Sequence, residues 1–237
     1  MNLCIDIGNS YVKFGWFKEN ELVLRNKGVD ALLQSNPTLI EHAILSSVTK
    51  DETVTDWLKK NKIPYITLSS QLRLPFTLAY ETPETLGSDR IAAAAGMTQI
   101  FPHQNMLVIT AGSCVTYNFV SKHSEFLGGA ISPGLKMRLD AMSKFTSKLP
   151  KIKLNKDEEI PLIGRNTENS MLSGAANGLA AEIDGIISQY KNQYENLNTV
   201  ICGGDAAFLS ARLKNNIFVS PSLVLDGLNY ILRQNAA

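Results

Sequence analysis

Cysteine, histidine and unbalanced charge are all scarce in this sequence, and each scarcity argues against a class of function. The three cysteines (Cys4, Cys114, Cys202) lie far apart within apolar, strand-like segments, and the three histidines (His42, His103, His123) are equally scattered. That spacing argues against a zinc site, a disulfide framework or a Cys-His nucleophile pair. It suits reduced core thiols in a cytoplasmic protein. A formal net charge of +1 gives no general attraction to nucleic acid or to an anionic membrane. The opening residues carry no cationic segment and their apolar run breaks early, so no signal peptide is expected. No stretch approaches the roughly 20 apolar residues of a membrane span. Neither G-x-x-x-x-G-K followed by Ser or Thr, nor G-x-G-x-x-G after a strand, occurs, which disfavours P-loop and dinucleotide-binding folds.

What remains is a 237-residue chain, 44% hydrophobic and 19% charged, able to bury a substantial core as one large domain or two small ones. Its most informative segment is Asp6-Ile7-Gly8-Asn9-Ser10, set between the apolar run Leu3-Cys4-Ile5 and the strand-like run Tyr11-Val12-Lys13-Phe14. The pattern predicts a buried strand, a tight turn and a returning strand. An Asp ending a buried strand can hold a hydrated magnesium ion. Gly8 lets backbone approach a ligand, and Asn9, Ser10 and Lys13 can donate to phosphate oxygens. Taken alone, the segment is equally an ordinary β-hairpin.

Further strands are predicted at 21–26, 43–46 and 65–68, and helices at 29–34 and 53–60. An alanine-rich helix over 91–100 is entered from Gly87-Ser88-Asp89-Arg90. The opening pattern then recurs as Met106-Leu107-Val108-Ile109, the small-residue turn Thr110-Ala111-Gly112-Ser113 and an alternating strand over 115–120, with a third strand at 125–127. Helices follow at 135–145 and 170–187, with a polar loop at 151–159, a buried strand at 200–202 and a last helix at 223–232. Gly8 and Gly112 occupy corresponding places in the two strand–turn–strand units. Two related halves are therefore expected, 1–104 and 105–237, each a sheet that opens with a hairpin and is flanked by helices.

Glycine-rich turns (Gly8, Gly112, Gly128-Gly129, Gly203-Gly204) are individually common, but the repeated pair resembles the acetate/sugar kinase–chaperone–actin superfamily. That resemblance implies an α/β fold of two duplicated ribonuclease H-like (actin-like ATPase) lobes, each a mixed sheet flanked by helices, with a nucleotide cleft between them. Within the superfamily the chain resembles type III pantothenate kinase along nearly its whole length. The match begins with Asp6-Ile7-Gly8-Asn9-Ser10 and Lys13, then Tyr80 before Leu86-Gly87-Ser88-Asp89-Arg90. It continues through Ala111-Gly112-Ser113, Gly128-Gly129-Ala130-Ile131-Ser132-Pro133-Gly134 and Asn166-Thr167 before Ser173-Gly174. Gly203-Gly204-Asp205 and Asp226-Gly227-Leu228 complete it. Each element is weak by itself; their order and spacing together are specific.

The resemblance implies ATP-dependent phosphorylation of pantothenate in a cytoplasmic homodimer, the first step toward coenzyme A. Magnesium and a monovalent cation (K+ or NH4+) are the implied cofactors, with no nucleic-acid or membrane partner. Phosphoryl transfer needs an aligned acceptor hydroxyl, a base and cations against the γ-phosphate charge. On the family pattern Asp89 is the base, whereas the residue alone reads as a helix-capping Asp beside an ion pair. Tyr80, Gly87, Ser88, Asp89 and Arg90 contact pantothenate, joined across a subunit interface by Thr167. Alone, Tyr80 reads as a core or rim aromatic and Thr167 as a helix N-cap. Asp6, Ile7, Gly8, Asn9, Ser10, Tyr11, Val12, Lys13 and Ser113 bind ATP, with Asp6 also positioning magnesium through water. Thr110 stands where the family carries a cation-binding aspartate, and a neutral hydroxyl is a much poorer ligand. Potassium dependence is expected to be weakened or lost, or met by another group. Two alternatives stand beside this reading. One is another kinase or phosphohydrolase of the superfamily, against which Tyr80 and the Gly87–Arg90 segment argue. The other is a non-catalytic nucleotide-binding regulator of the same fold, which Thr110 alone favours.

Overall fold

The computed structural model describes residues 1–9, 11–47 and 52–236, so Ser10 of the first turn lies outside the described residues. The chain divides into two compact units. Unit 1 comprises Met1–Gln104, Phe119–Gly128 and Ser222–Ala237; unit 2 comprises Asn105–Asn118 and Gly129–Pro221.

In unit 1, β1 (Asn2–Ile7), β2 (Val12–Lys18), β3 (Glu21–Lys27), β4 (His42–Ser47) and β5 (Tyr65–Thr67) form a sheet in the order β3-β2-β1-β4-β5. Strand β1 runs antiparallel to β2 and parallel to β4. Being central, β1 is apolar from Leu3 to Ile5, and Leu3 and Ile5 pack with Phe14, Trp16 and Leu45. Leu32 of α1 (Val29–Leu33) and Val54 and Leu58 of α2 (Thr53–Lys60) cover that face. Helices α3 (Ser88–Ile100) and α7 (Leu223–Asn235) pack together through small residues. A Cβ on Gly227 would lie 1.8 Å from the Ala92 carbonyl oxygen, and one on Gly96 would lie 2.3 Å from that of Leu223. The alanine run is thus a surface for backbone-to-backbone approach. A two-residue strand, β6 (Thr77–Leu78), pairs in parallel with the start of β9 (Glu125–Pro133). It is too short to leave a periodic signal in the sequence.

In unit 2, β7 (Met106–Ala111), β8 (Cys114–Val120), β9, β10 (Asn198–Cys202) and β11 (Phe218–Val219) run in the order β11-β10-β7-β8-β9. Strand β7 is parallel to β10, as β1 is to β4. The order 3-2-1-4-5 therefore recurs as 9-8-7-10-11, and the duplication read from the two glycine hairpins is a duplication of topology. Leu107, Ile109, Val115 and Tyr117 pack with Leu179 and Ile183 of α5 (Thr167–Gln193) and Leu209 of α6 (Ala206–Ser210). Helix α4 (Leu135–Phe145) follows β9 directly through Gly134.

Three local expectations change. Helix α5 begins at Thr167 and runs to Gln193, and its N-cap is Asn166, whose Oδ1 accepts the Asn169 N–H at 2.8 Å. Thr167 is therefore not the cap. Gly128 and Gly129 lie inside β9 rather than in a turn, at φ of 108° and 152°. A Cβ on Gly129 would sit 1.8 Å from the Tyr117 carbonyl oxygen, so glycine is needed for strand contact there. Thr110 belongs to β7 and is paired with Cys202, not to the turn. Among the described residues no helix is long and apolar enough to cross a membrane.

Candidate functional site

The site in unit 1 starts from register. Asp6 lies directly opposite Lys13 in the first hairpin, so the two side chains leave the sheet on one face. Asp6 is buried and Lys13 exposed. Ser46, fully buried on β4, donates to Asp6 Oδ1 at 3.4 Å, and its Oγ lies 2.9 Å from Ser88 Oγ. An ionised carboxylate only accepts, so the protons run from Ser88 to Ser46 to Asp6 in one chain. This chain ties the end of β1 to the first turn of α3. Burial pushes the Asp6 carboxyl up to about 6; Lys13 opposes the rise, Asp89 adds to it and the Ser46 hydroxyl opposes it.

Gly87 leads into α3, and Asp89 Oδ1 accepts the Arg90 backbone N–H at 2.9 Å. A Cβ on Gly87 would lie 2.7 Å from that oxygen, so the glycine makes room for the carboxylate. The Arg90 guanidinium is buried, with Cζ 5.7 Å from the Tyr80 ring centroid and 5.8 Å from that of Phe126. Tyr80 leans on Gly128, where a Cβ would meet its ring at 3.2 Å. The Arg90 guanidinium and the half-buried Tyr80 phenol thus meet beside the first turn of α3, the turn that also carries the Asp89 carboxylate.

The two hairpin glycines differ from Gly87, Gly96, Gly129, Gly134 and Gly227, which neighbouring atoms crowd. Gly8 donates to the Tyr11 carbonyl at 3.3 Å, and Gly112 to that of Cys114 at 2.9 Å. Neither adopts left-handed φ. A Cβ would come no closer than 3.6 Å to any atom at Gly8, or 4.0 Å at Gly112. Among the described residues none requires glycine at either place, and a Cβ there would make only ordinary contact, so both turns suit close approach by phosphate. Ile7 and Val12 are buried, so only their backbone is available to a nucleotide, whereas Asn9, Tyr11 and Ser113 are exposed. Hydrated magnesium is commonly held by one or two carboxylates plus phosphate, and Asp6, electrostatically coupled to Asp89, fits that requirement. Among the described residues no group of three or more His, Cys, Asp or Glu could hold a metal ion.

In unit 2, Thr110 Oγ1 lies 3.4 Å from Cys202 Sγ. A neutral hydroxyl facing a thiol does not suit an alkali cation, which prefers charged or carbonyl oxygens. Gly134 donates to the Ser113 carbonyl at 3.1 Å, bracing the second hairpin. Behind it, Arg138 Nε donates to the Pro133 carbonyl and Nη2 to Ser132 Oγ, each at 2.8 Å, and Arg138 also pairs with Glu182. Glu182 accepts the Tyr117 hydroxyl at 3.0 Å. Burial works to raise the Glu182 carboxyl, but hydrogen bonds from Ser132, Arg138 and Tyr117 hold it below its ordinary value. Thr167 is exposed and lines a cavity of about 520 Å³ with Met142, Leu149, Arg165 and Met171. On α5, Gly174, Gly178, Ala181 and Gly185 share one exposed face, and nothing lies within 4 Å of a Cβ built on any of its three glycines.

Sequence reasoning passed over Ser46 and Phe126. Ser46 carried a signal, a polar residue inside an apolar strand; Phe126 carried none.

Comparison with known proteins follows the same lines. The chain matches the family model for type III pantothenate kinase over residues 2–189. It is 41% identical over 239 residues to the type III pantothenate kinase of Cytophaga hutchinsonii, covering 99% of this chain and 100% of that protein. Among solved structures it resembles a Baf family protein from Campylobacter jejuni, with a TM-score of 0.66 and 22% identity over 99% of this chain and 98% of the other. A ROK family glucokinase from Streptomyces griseus, solved with glucose and AMPPNP, gives a TM-score of 0.51 at 10% identity over 98% and 99% of the two chains. Both structural likenesses bear on the fold.

Proposed function

Since the chain belongs to the type III pantothenate kinase family, we infer that it uses ATP to phosphorylate pantothenate to 4'-phosphopantothenate, in coenzyme A biosynthesis. The observation that carries our assignment of residues is the carboxylate of Asp89, fixed at the start of α3 by the Arg90 N–H, in the same helical turn from which the Arg90 guanidinium meets the Tyr80 ring. Asp89 takes the proton of the primary hydroxyl as that oxygen attacks the γ-phosphorus of ATP, the bond to the β,γ-bridging oxygen breaks and ADP leaves. Arg90 and Tyr80 hold the carboxylate and amide of pantothenate, aided by the backbone of Gly87 and Ser88. The open turns at Gly8 and Gly112 admit the phosphates, to which Asn9, Ser10, Lys13 and Ser113 donate. Asp6 would hold magnesium, which when bound would supply neutralising charge to the triphosphate. Thr110, engaged with Cys202, makes turnover independent of K+ or NH4+.

The protein works in the cytoplasm as a homodimer in this reading. The exposed small-residue face of α5 supports it, since glycine there serves no packing among the described residues and would let a second copy come close. Thr167, at the start of the same helix, is then the residue offered to the other copy's pantothenate. The test is ADP release from ATP by the purified protein, with and without pantothenate and with and without potassium. Pantothenate-dependent turnover in potassium-free buffer, with a phosphorylated product by mass spectrometry, is the expected result. Absence of pantothenate-dependent turnover under any cation overturns the reading.

A further inference from the structure

Phe126 touches both residues to which pantothenate recognition has been given, and its own surroundings leave it no freedom. It lies at the start of β9 and is fully buried. Its backbone is fixed by pairing with Leu78, and its carbonyl accepts the Ala79 N–H at 3.0 Å. Phe76 stacks on its ring at a centroid separation of 5.9 Å. Tyr80 meets the ring edge-on at 6.1 Å and 69°, and Arg90 Cζ lies 5.8 Å from its centroid. Tyr80 follows β6 by only one residue, so the pairing that fixes Phe126 also brings Tyr80 to it.

Guanidinium is weakly hydrated and planar, and it is attracted to the negative face of an aromatic ring within about 6 Å. Arg90 has two such faces, those of Tyr80 and Phe126. Tyr80 is half-buried and must also serve the substrate, whereas Phe126, backed by Phe76, is the fixed wall. We propose that Phe126 is a positioning residue for substrate recognition, holding the Arg90 guanidinium and the Tyr80 ring at a set separation that matches the carboxylate and amide of pantothenate. The inference rests on the pantothenate kinase reading and adds a specificity determinant to it. Because Arg90 and Tyr80 grip the part of the substrate that does not react, loosening them weakens ground state and transition state alike. The effect then falls on KM for pantothenate rather than on kcat or on KM for ATP.

The test replaces Phe126 with phenylalanines bearing one, two and three ring fluorines, introduced by nonsense suppression, alongside Phe126→Leu. Fluorine drains the ring face while barely altering its volume, so the core stays packed and the series reads the cation–π contact itself. KM for pantothenate should climb with each fluorine, reaching about tenfold in the trifluoro protein and in Phe126→Leu. KM for ATP and kcat should stay within about twofold of the unsubstituted enzyme. A flat KM for pantothenate across the fluorinated series, or equal rises in both KM values, overturns the role of Phe126 and leaves the kinase reading standing. An unsubstituted enzyme that does not phosphorylate pantothenate overturns both.

Discussion

A Cβ on Gly134 would lie 2.0 Å from the carbonyl oxygen of Gly112. The residue that leads into α4 therefore touches the second hairpin backbone to backbone, and no side chain fits between them. Gly112 itself, and Gly8 in the first hairpin, have open space where a Cβ would go. Glycine serves the fold at Gly134, and in the proposed function it serves the nucleotide at Gly8 and Gly112.

That contrast separates stability from binding. Gly134→Ala should destabilise the protein by about 2 kcal/mol or more in chemical denaturation, because backbone must move. Gly8→Ala and Gly112→Ala should stay within about 1 kcal/mol of the parent, yet raise KM for ATP by about tenfold or more. Equal losses of stability in all three variants would contradict the assignment.

Removing the hydroxyl of Ser46 breaks the link between Asp6 and Ser88. Ser46→Ala should cost about 1–2 kcal/mol of stability, since Ser88 loses a buried acceptor. It should also lower kcat/KM for ATP by about tenfold, as Asp6 loses its donor. Steady-state kinetics with unchanged kcat/KM would show that the link is structural alone.

Asp6 is kept at a cost to the free protein. Its folded pKa, about 6, stands above the ordinary 3.8, so the folded state binds the extra proton between those values. The penalty is absent below pH 3.8, grows through the interval and is complete above about pH 6. A gap of about two pH units corresponds to about 3 kcal/mol. Without magnesium or nucleotide, Asp6→Asn should therefore melt higher than the parent at pH 8 and equally at pH 3.5, while losing phosphoryl transfer. A lower melting point at pH 8 would contradict this.

In the proposed dimer, the exposed glycine face of α5 forms the interface. Gly178→Leu projects into space empty within one chain, so the single chain should fold normally. Light scattering should then find a monomer at concentrations where the parent is a dimer, and turnover should fall with the loss of the partner's Thr167. An unchanged dimer would place the interface elsewhere.

Much of this was legible in the sequence, for physical reasons. The hairpins were readable because small polar residues interrupt alternating apolar runs at Gly8 and Gly112, and the duplication followed from them. Their place at the head of an alanine-rich helix made Asp89 and Arg90 readable only as a cap and an ion pair; their site role came from the family pattern. The strands Thr77–Leu78 and Phe218–Val219 were not, because two residues carry no periodicity. The extension of α5 to Gln193 rests on good helix formers such as Lys191 and Gln193 and on Tyr190, the one residue past Ile187 that continues the stripe against the core within the helix. Phe126 looked like any strand aromatic; its meaning comes from Tyr80 and Arg90, which only tertiary structure brings to it.

The central claim is that Asp89 is the base that receives the pantothenate proton. Single-turnover phosphorylation of pantothenate by Asp89→Asn, with nucleotide affinity and melting temperature measured on the same protein, tests it most directly. The account predicts a rate lower by about 10² to 10⁴, with ATP binding and stability essentially those of the parent. A rate within a few-fold of the parent would contradict it.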